Sequence, residues 1–214
     1  MTGDSRIPRG PGPLPASAAP KTDSVAPAAT GDGKAALRKA LLAARAAIDP
    51  ARKAQWDAAI GARVLAWWRG RSAGADAVLG VYWPLHGEPE LGAAYAELAG
   101  TGVRLALPVV LERHAPLAFA WWTPGEPLHK DAMGVAVPAH LRLAPRPPAL
   151  LVPCLGFNEQ AYRLGYGGGY YDRTLEGLPR PATAGIAYAC QAARFDGAAH
   201  DVALDIILTE RAAG

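Results

Sequence analysis

Leu37, Leu41, Ala44 and Ile48 share one helical face in a stretch rich in alanine and leucine and free of glycine and proline, which predicts a helix over 34–48. Asp49-Pro50 then reads as an N-cap followed by proline at the first helical position. The helix it opens carries Trp56, Ile60, Val64 and Trp67 on one stripe and stops near Gly70. Beyond Gly74 the pattern changes to short apolar runs separated by turn residues, predicting strands at 77–83, 103–110, 117–122, 149–155, 183–189 and 204–209. A crossover helix is expected at 89–98 and a further helix, behind a cluster of glycines, at 170–176. Residues 149–152 are apolar throughout instead of alternating, as strands covered on both faces tend to be. Strands mixed with helices predict a single α/β domain around a largely parallel sheet.

Composition adds a boundary. The first 33 of the 214 residues carry six prolines, no apolar periodicity and balanced charges. Such a stretch cannot bury enough apolar surface to offset its ordering entropy, so residues 1–33 are expected to be a disordered tail and 34–214 the folded domain. No apolar run approaches the length needed to cross a bilayer, and no membrane partner is expected. Two cysteines, Cys154 and Cys190, make neither a disulfide framework nor a four-cysteine zinc site. The net charge of +3 is modest, and the basic residues form no aromatic-interleaved patch, so nucleic acid is not expected as a partner.

The chemistry concentrates after the 149–155 strand. Arg163-Leu164-Gly165-Tyr166-Gly167-Gly168-Gly169-Tyr170-Tyr171-Asp172 runs through a glycine cluster into a helix start. Glycines let backbone approach a ligand closely, and successive free N–H groups form an anion nest reinforced by the helix N-terminus. Neither the P-loop ending nor the dinucleotide fingerprint is present, and a bare glycine run can equally be a plain turn. The flanking residues favour a phosphate site, because Arg163 could grip phosphate bidentately and Asp172 could hold the accompanying Mg²⁺.

Lys34, Arg38 and Arg45 lie on one edge of the first helix, bordering its leucine stripe, and could lean over the edge of the core toward a site; periodicity alone reads them as a solvated basic face. Glu88 and Glu90 follow the 77–83 strand, where open α/β sheets bind ligands, although either acid could instead serve the first turn of the next helix. Trp83 ends that strand beside Glu88 and could stack on a flat heterocycle. His200-Asp201 lies with Asp205 ahead of the last strand, and Asp201 could be a second metal carboxylate or a loop acid. His86, His114, His129 and His140 show no metal-ligand spacing and read as surface or hydrogen-bonded histidines.

Taken in order, these residues resemble the 5-formyltetrahydrofolate cyclo-ligases (5,10-methenyltetrahydrofolate synthetases). The glycine cluster carries the resemblance most strongly, and it extends to Lys34 and Arg38, Tyr82 to Glu90, Leu151 to Phe157, Gly185 to Tyr188 with Gln191, and His200-Asp201 to Glu210. The resemblance implies a three-layer α/β/α open sheet and a soluble, cytoplasmic, monomeric enzyme acting on small molecules. Its reaction would cyclise 5-formyltetrahydrofolate to 5,10-methenyltetrahydrofolate with conversion of ATP to ADP and phosphate, through an iminium phosphate. By the same resemblance Lys34, Arg38 and Arg163 would bind ATP with Gly165, Tyr166, Gly167, Gly168, Gly169, Tyr170 and Tyr171. Arg163 and Tyr170 would be catalytic, Asp172 and Asp201 would hold Mg²⁺, and Trp83, Glu88, Tyr166 and Tyr170 would bind the folate. The chain departs from the family pattern at Cys154, Asn158 and Ala161, and it has lost polar residues at Val137 and Ala198, which implies fewer polar contacts around the folate. A divergent paralogue that binds nucleotide with another substrate, or acts without catalysis, is the alternative.

Overall fold

The computed structural model describes Met1 and residues 31–71, 77–131, 134–198 and 200–211. The expected tail, 1–33, lies outside them except for Met1 and its last residues, which already belong to the first helix. That helix, α1, spans Gly31–Ala46, and α2 spans Pro50–Arg69. The Asp49 side chain accepts from the Arg52 amide, so the expected N-cap forms, and α2 ends at Gly70. The stripe buried on α2 is Asp57, Ile60, Gly61, Val64 and Trp68. Trp68 takes the inner position expected for Trp67, which packs at the margin, because successive turns from Ile60 and Val64 lead to residue 68.

The chain continues through β1 (Val78–Gly80), α3 (Gly92–Gly100), β2 (Arg104–Val109), β3 (Ala118–Trp122), β4 (Leu128–Lys130), β5 (Ala136–Pro138) and β6 (Leu143–Ala144). There follow β7 (Ala149–Pro153), β8 (Gly156–Phe157), β9 (Arg163–Leu164), α4 (Tyr170–Glu176), β10 (Ala182–Ile186) and β11 (Ile206–Leu208). A 7-stranded sheet has the order β11-β10-β7-β1-β2-β3-β6. From β11 to β2 the pairing is parallel, and β3 and β6 are antiparallel. The antiparallel side follows from the connection between β2 and β3, which holds no helix and so returns the chain directly.

Both faces of the sheet are covered. Leu105, Leu107, Ala149 and Leu151 point to the side of α2 and α3, where they pack with Ile60, Val64, Tyr95 and Leu98. Ala106, Leu150 and Val152 point the other way, against Leu175 of α4 and Leu204. The apolar run at 149–152 is therefore explained by alternation between two buried faces. From β1 the chain crosses by α3 to one side, and from β7 it crosses by α4 to the other, so the winding reverses between β1 and β7. That reversal opens a crevice beyond the carboxyl ends of these two strands.

Helix α1 belongs to neither layer. Its Leu41, with Leu37 at the margin, packs on Leu155, Leu164 and Phe195, which lie just past the carboxyl end of β7 and in the loops around it. The small β8–β9 hairpin supplies part of this surface. A leucine stripe on the first helix thus fastens it across the end of the sheet where the crevice opens.

Candidate active site

A cleft of about 900 Å³ lies at the carboxyl ends of β1, β2 and β7, lined in part by α1 and by the turn between β9 and α4. It is lined by every residue to which the family resemblance gives a role, from Lys34 and Arg38 through Trp83 and Glu88 to Asp201.

The glycine turn forms one wall. Gly167 (φ 98) and Gly169 (φ 64) take left-handed backbone that a side chain would strain, and Gly169 is the N-cap of α4. A Cβ on Gly165 would lie 2.5 Å from a terminal nitrogen of Arg163, so only glycine leaves room for the guanidinium beneath the turn. Arg163 is delivered there by β9; its guanidinium donates to Asp172 Oδ2 at 2.8 Å and lies over the Tyr171 ring at 5.2 Å. Its Nε is buried without a hydrogen-bond partner. The Arg173 guanidinium donates to the Gly168 carbonyl at 2.7 Å and covers the Tyr170 ring, which faces the cleft.

Helix α1 adjoins this wall. Arg38 Nε donates to the Gly165 carbonyl at 2.8 Å, and Lys34 Nζ pairs with Asp201 Oδ2 at 3.3 Å. Asp201 also accepts from the Ala198 amide at 2.7 Å, and His200 lies 3.8 Å from its other oxygen. The basic edge of α1 is therefore not a solvated face. Sequence periodicity misplaced it because a helix pattern shows which side is apolar but not what stands beyond the margin of that side.

The floor is built on Glu88, which is 1% exposed. Its Oε1 accepts from the Tyr166 hydroxyl at 2.7 Å and its Oε2 from the Leu85 amide at 2.9 Å. Burial raises its pKa above the ordinary carboxylate value, against the hydrogen bonds of Tyr166 and Leu85 and the positive charge of Arg45. Burial and the charge of Glu88 push the Tyr166 hydroxyl upward, so it stays protonated and donates. Trp83, 38% exposed, lines the cleft and makes a T-shaped contact with Trp122, ring centroids 5.8 Å apart. Of the acidic pair expected after β1, only Glu88 faces the cleft; Glu90 is exposed and pairs with Lys53 at 2.9 Å. Neither acid lies in the first turn of α3, because that helix begins later than expected, at Gly92.

These features have a counterpart. A sequence model described as the 5-formyltetrahydrofolate cyclo-ligase family matches residues 30–210. The chain belongs to the 5-formyltetrahydrofolate cyclo-ligase family. A 5-formyltetrahydrofolate cyclo-ligase of Mycoplasma pneumoniae is 48% identical over 61 residues, which are 28% of this chain and 37% of that protein. One from Mycoplasma genitalium is 41% identical over 58 residues, covering 27% and 35% of the two chains. The matched segments thus span little more than a third of these curated relatives. In three dimensions a 5,10-methenyltetrahydrofolate synthetase from Mycoplasma pneumoniae superposes with a TM-score of 0.69 at 27% identity, over 83% of this chain and 99% of that one. The synthetase of the same name from Aquifex aeolicus gives 0.71 at 24% identity, over 84% and 90%, a likeness of fold.

Within this cyclo-ligase fold the departures from the family pattern fall mostly outside the cleft. Val137 is buried with Val109 and Ala120, so an apolar side chain suits its surroundings and the expected loss of a folate contact there does not follow. Cys154 is buried, its thiol pushed up to about 12 chiefly by burial, which disfavours the thiolate. The Asn158 side chain donates to the Phe195 carbonyl and accepts from the amides of Gln160 and Tyr162, which shapes the β8–β9 loop. Ala198 alone among the departures borders the cleft. Asp205 accepts from the Thr183 amide at 2.7 Å and ties β10 to β11, away from the site.

Sequence reasoning missed two members. His86, read as a surface histidine, borders the cleft with its ring 5.5 Å from that of Tyr166. Arg45 is 3% exposed and donates to the Tyr166 hydroxyl at 2.7 Å and to the Cys154 carbonyl at 2.8 Å. Its signal was the shared edge with Lys34 and Arg38. Among the described residues there is no group of three or more His, Cys, Asp or Glu side chains that could hold a metal unaided. Asp172 and Asp201 nevertheless suit Mg²⁺, which is commonly bound by one or two carboxylates completed by phosphate oxygens and water. Among the described residues no helix is long and apolar enough to cross a membrane.

Proposed function

We propose that the protein cyclises 5-formyltetrahydrofolate to 5,10-methenyltetrahydrofolate with conversion of ATP to ADP and phosphate, as a cytoplasmic monomer. The observation that carries this reading is the division of one cleft into a cationic glycine-lined end, with Lys34, Arg38 and Arg163, and an aromatic-acidic end, with Trp83, Tyr166 and Glu88. A volume of about 900 Å³ accommodates two ligands brought together for transfer.

The formyl oxygen attacks the γ-phosphorus of ATP, and the β–γ bridging bond breaks to release ADP. The resulting N5 iminium phosphate is attacked at carbon by N10, which loses its proton. Phosphate then departs with the former formyl oxygen and leaves the methenyl cation. Such transfers depend on positioning and on neutralising charge on phosphoryl oxygens, the work of Arg163, Lys34, Arg38 and the amides of Gly165 to Gly169. Tyr170, facing the cleft beside this turn, contacts the phosphoryl group and the folate. Glu88 accepts hydrogen bonds from the N–H groups of the pterin, while Trp83 offers it a ring face. Tyr171 supports Arg163 from below. Asp172 and Asp201 would hold Mg²⁺, which supplies neutralisation of phosphate charge. Both carboxylates are paired with the cations that await phosphate, Asp172 with Arg163 and Asp201 with Lys34, so ligand binding exchanges partners already matched in charge.

The test is formation of the 5,10-methenyl chromophore in the near ultraviolet from 5-formyltetrahydrofolate, with omission of ATP and of Mg²⁺ in turn. A signal that needs all three components is expected. Folded protein that binds ATP yet yields no chromophore would transfer the assignment to a divergent paralogue with another phosphoryl acceptor.

A further inference from the structure

Arg45 is 3% exposed and has no assigned contact with either substrate, yet it is joined to a residue that has one. A guanidinium only donates, so the Tyr166 oxygen accepts from Arg45 Nη1 at 2.7 Å. The single proton of that hydroxyl is then committed to Glu88 Oε1, also at 2.7 Å. Arg45 is held in place by its second bond, to the Cys154 carbonyl just past β7, and is almost fully buried. Its remaining Nε is buried without a partner. Among the described residues no carboxylate pairs directly with this guanidinium; its link to one runs through the Tyr166 hydroxyl to Glu88.

We propose that Arg45 is a positioning residue which, through the Tyr166 hydroxyl, keeps Glu88 an oriented acceptor for the reduced folate. This rests on the reading of Glu88 as the folate-binding acid. The physical argument is one of proton accounting. Glu88 receives one donor on each oxygen, from Tyr166 and from Leu85, and each oxygen keeps a lone pair for ligand. Protonation would neutralise the carboxylate and weaken both oxygens as acceptors for these two donors. Tyr166 cannot turn its own proton aside toward Arg45, which has nothing to accept it. The relay therefore penalises protonated Glu88 and opposes the effect of burial.

The groups facing Glu88 are Arg45 from α1, Tyr82 and His86 from the chain after β1, Tyr95 from α3, Cys154 after β7, and Tyr166 and Tyr171 from the glycine turn and α4. Burial pushes Tyr82, Tyr95, Cys154, Tyr166 and Tyr171 upward, so none of them titrates in the acid range. Protonation of Glu88 removes an acceptor, so folate affinity falls as pH falls through its pKa. Because burial raises that pKa, the acid limb lies above that of an ordinary carboxylate.

Two readouts decide the matter. In the free protein, Glu88 is titrated by carboxyl carbon NMR, its signal identified by its loss in Glu88→Gln. Tyr166→Phe and Arg45→Met are each expected to move the Glu88 midpoint upward, with Arg45→Lys recovering part of the shift. In turnover, Arg45→Met should raise the KM for 5-formyltetrahydrofolate about tenfold or more, as for loss of a hydrogen bond to a charged group, and leave the KM for ATP within about threefold. Tyr166 is half-exposed, so Tyr166→Phe retains the fold and carries the test if Arg45→Met does not fold. An unchanged Glu88 midpoint in Tyr166→Phe overturns the relay. Wild-type protein without cyclisation, but with a Glu88 midpoint that shifts in Tyr166→Phe, overturns the folate reading and upholds the relay.

Discussion

Ala161 has φ 59, in the left-handed region, at the tip of the β8–β9 loop. Its amide donates to the Asn158 carbonyl and its own carbonyl accepts from the Leu204 amide, so neighbours on both sides hold the conformation. A Cβ in that region costs about 1–2 kcal/mol, while glycine loses about 0.5–1 kcal/mol more chain entropy on folding. Ala161→Gly is therefore expected to stabilise the protein by about 0.5–1 kcal/mol, read as a higher denaturant midpoint at unchanged slope; a lower midpoint would contradict the strain. At this scale legibility followed chemistry. Arg163, Glu88 and the glycine turn could be found because few side chains suit phosphate or a buried acceptor. Arg45 could not be told from a solvated arginine, since only the packing of α1 decides which end of its basic edge is buried. Val137 is the converse: a lost polar residue matters only if it faces ligand, and this one faces Val109 and Ala120.

At the scale of elements, α1 is the part whose role the chain pattern conceals. Its existence is legible from the stripe of Leu37, Leu41 and Ile48, and the helices and longer strands are legible for similar reasons. Its docking is not, because an apolar face carries no address for the surface that receives it. Strands β4, β5, β6, β8 and β9 have two or three residues each, too few to show a period, and they too escaped the pattern. The consequence for function is direct, since Lys34 and Arg38 reach the cleft only while Leu41 sits among Leu155, Leu164 and Phe195. Leu41→Ala should remove about 2–5 kcal/mol of docking energy from this junction. The expected result is ATP affinity lowered about tenfold or more, together with faster amide exchange in α1 and little change in β1 and β7. Wild-type ATP affinity in a variant with a loosened α1 would show that Lys34 and Arg38 are not needed for the nucleotide.

The whole molecule turns on where the winding reverses. Glu88 follows β1 and the glycine turn follows β7, so the two ends of the cleft hang from neighbouring parallel strands of a sheet buried on both faces. That frame is rigid, whereas the charges at its mouth are held in exchangeable pairs, Arg163 with Asp172 at 2.8 Å and Lys34 with Asp201 at 3.3 Å. ATP alone would compete with the two carboxylates for the cations and would leave those carboxylates facing phosphate. Mg²⁺ alone would find one or two carboxylates already neutralised. On the proposed reading the two together would satisfy all four side chains, so their binding should be strongly cooperative. A ligand at about 100 times its Kd stabilises the folded state by about 2.7 kcal/mol, which in a domain of this size raises Tm by about 5–10 °C. The expected pattern in a thermal melt is a rise of that order with Mg²⁺ and ATP together, and a much smaller one with either alone. Arg163→Ala should abolish most of the joint rise, because it removes the cation and leaves Asp172 unpaired beside the phosphates. Equal stabilisation by ATP in the presence of a chelator would place the nucleotide away from these acids and leave the paired charges as fixtures of the fold.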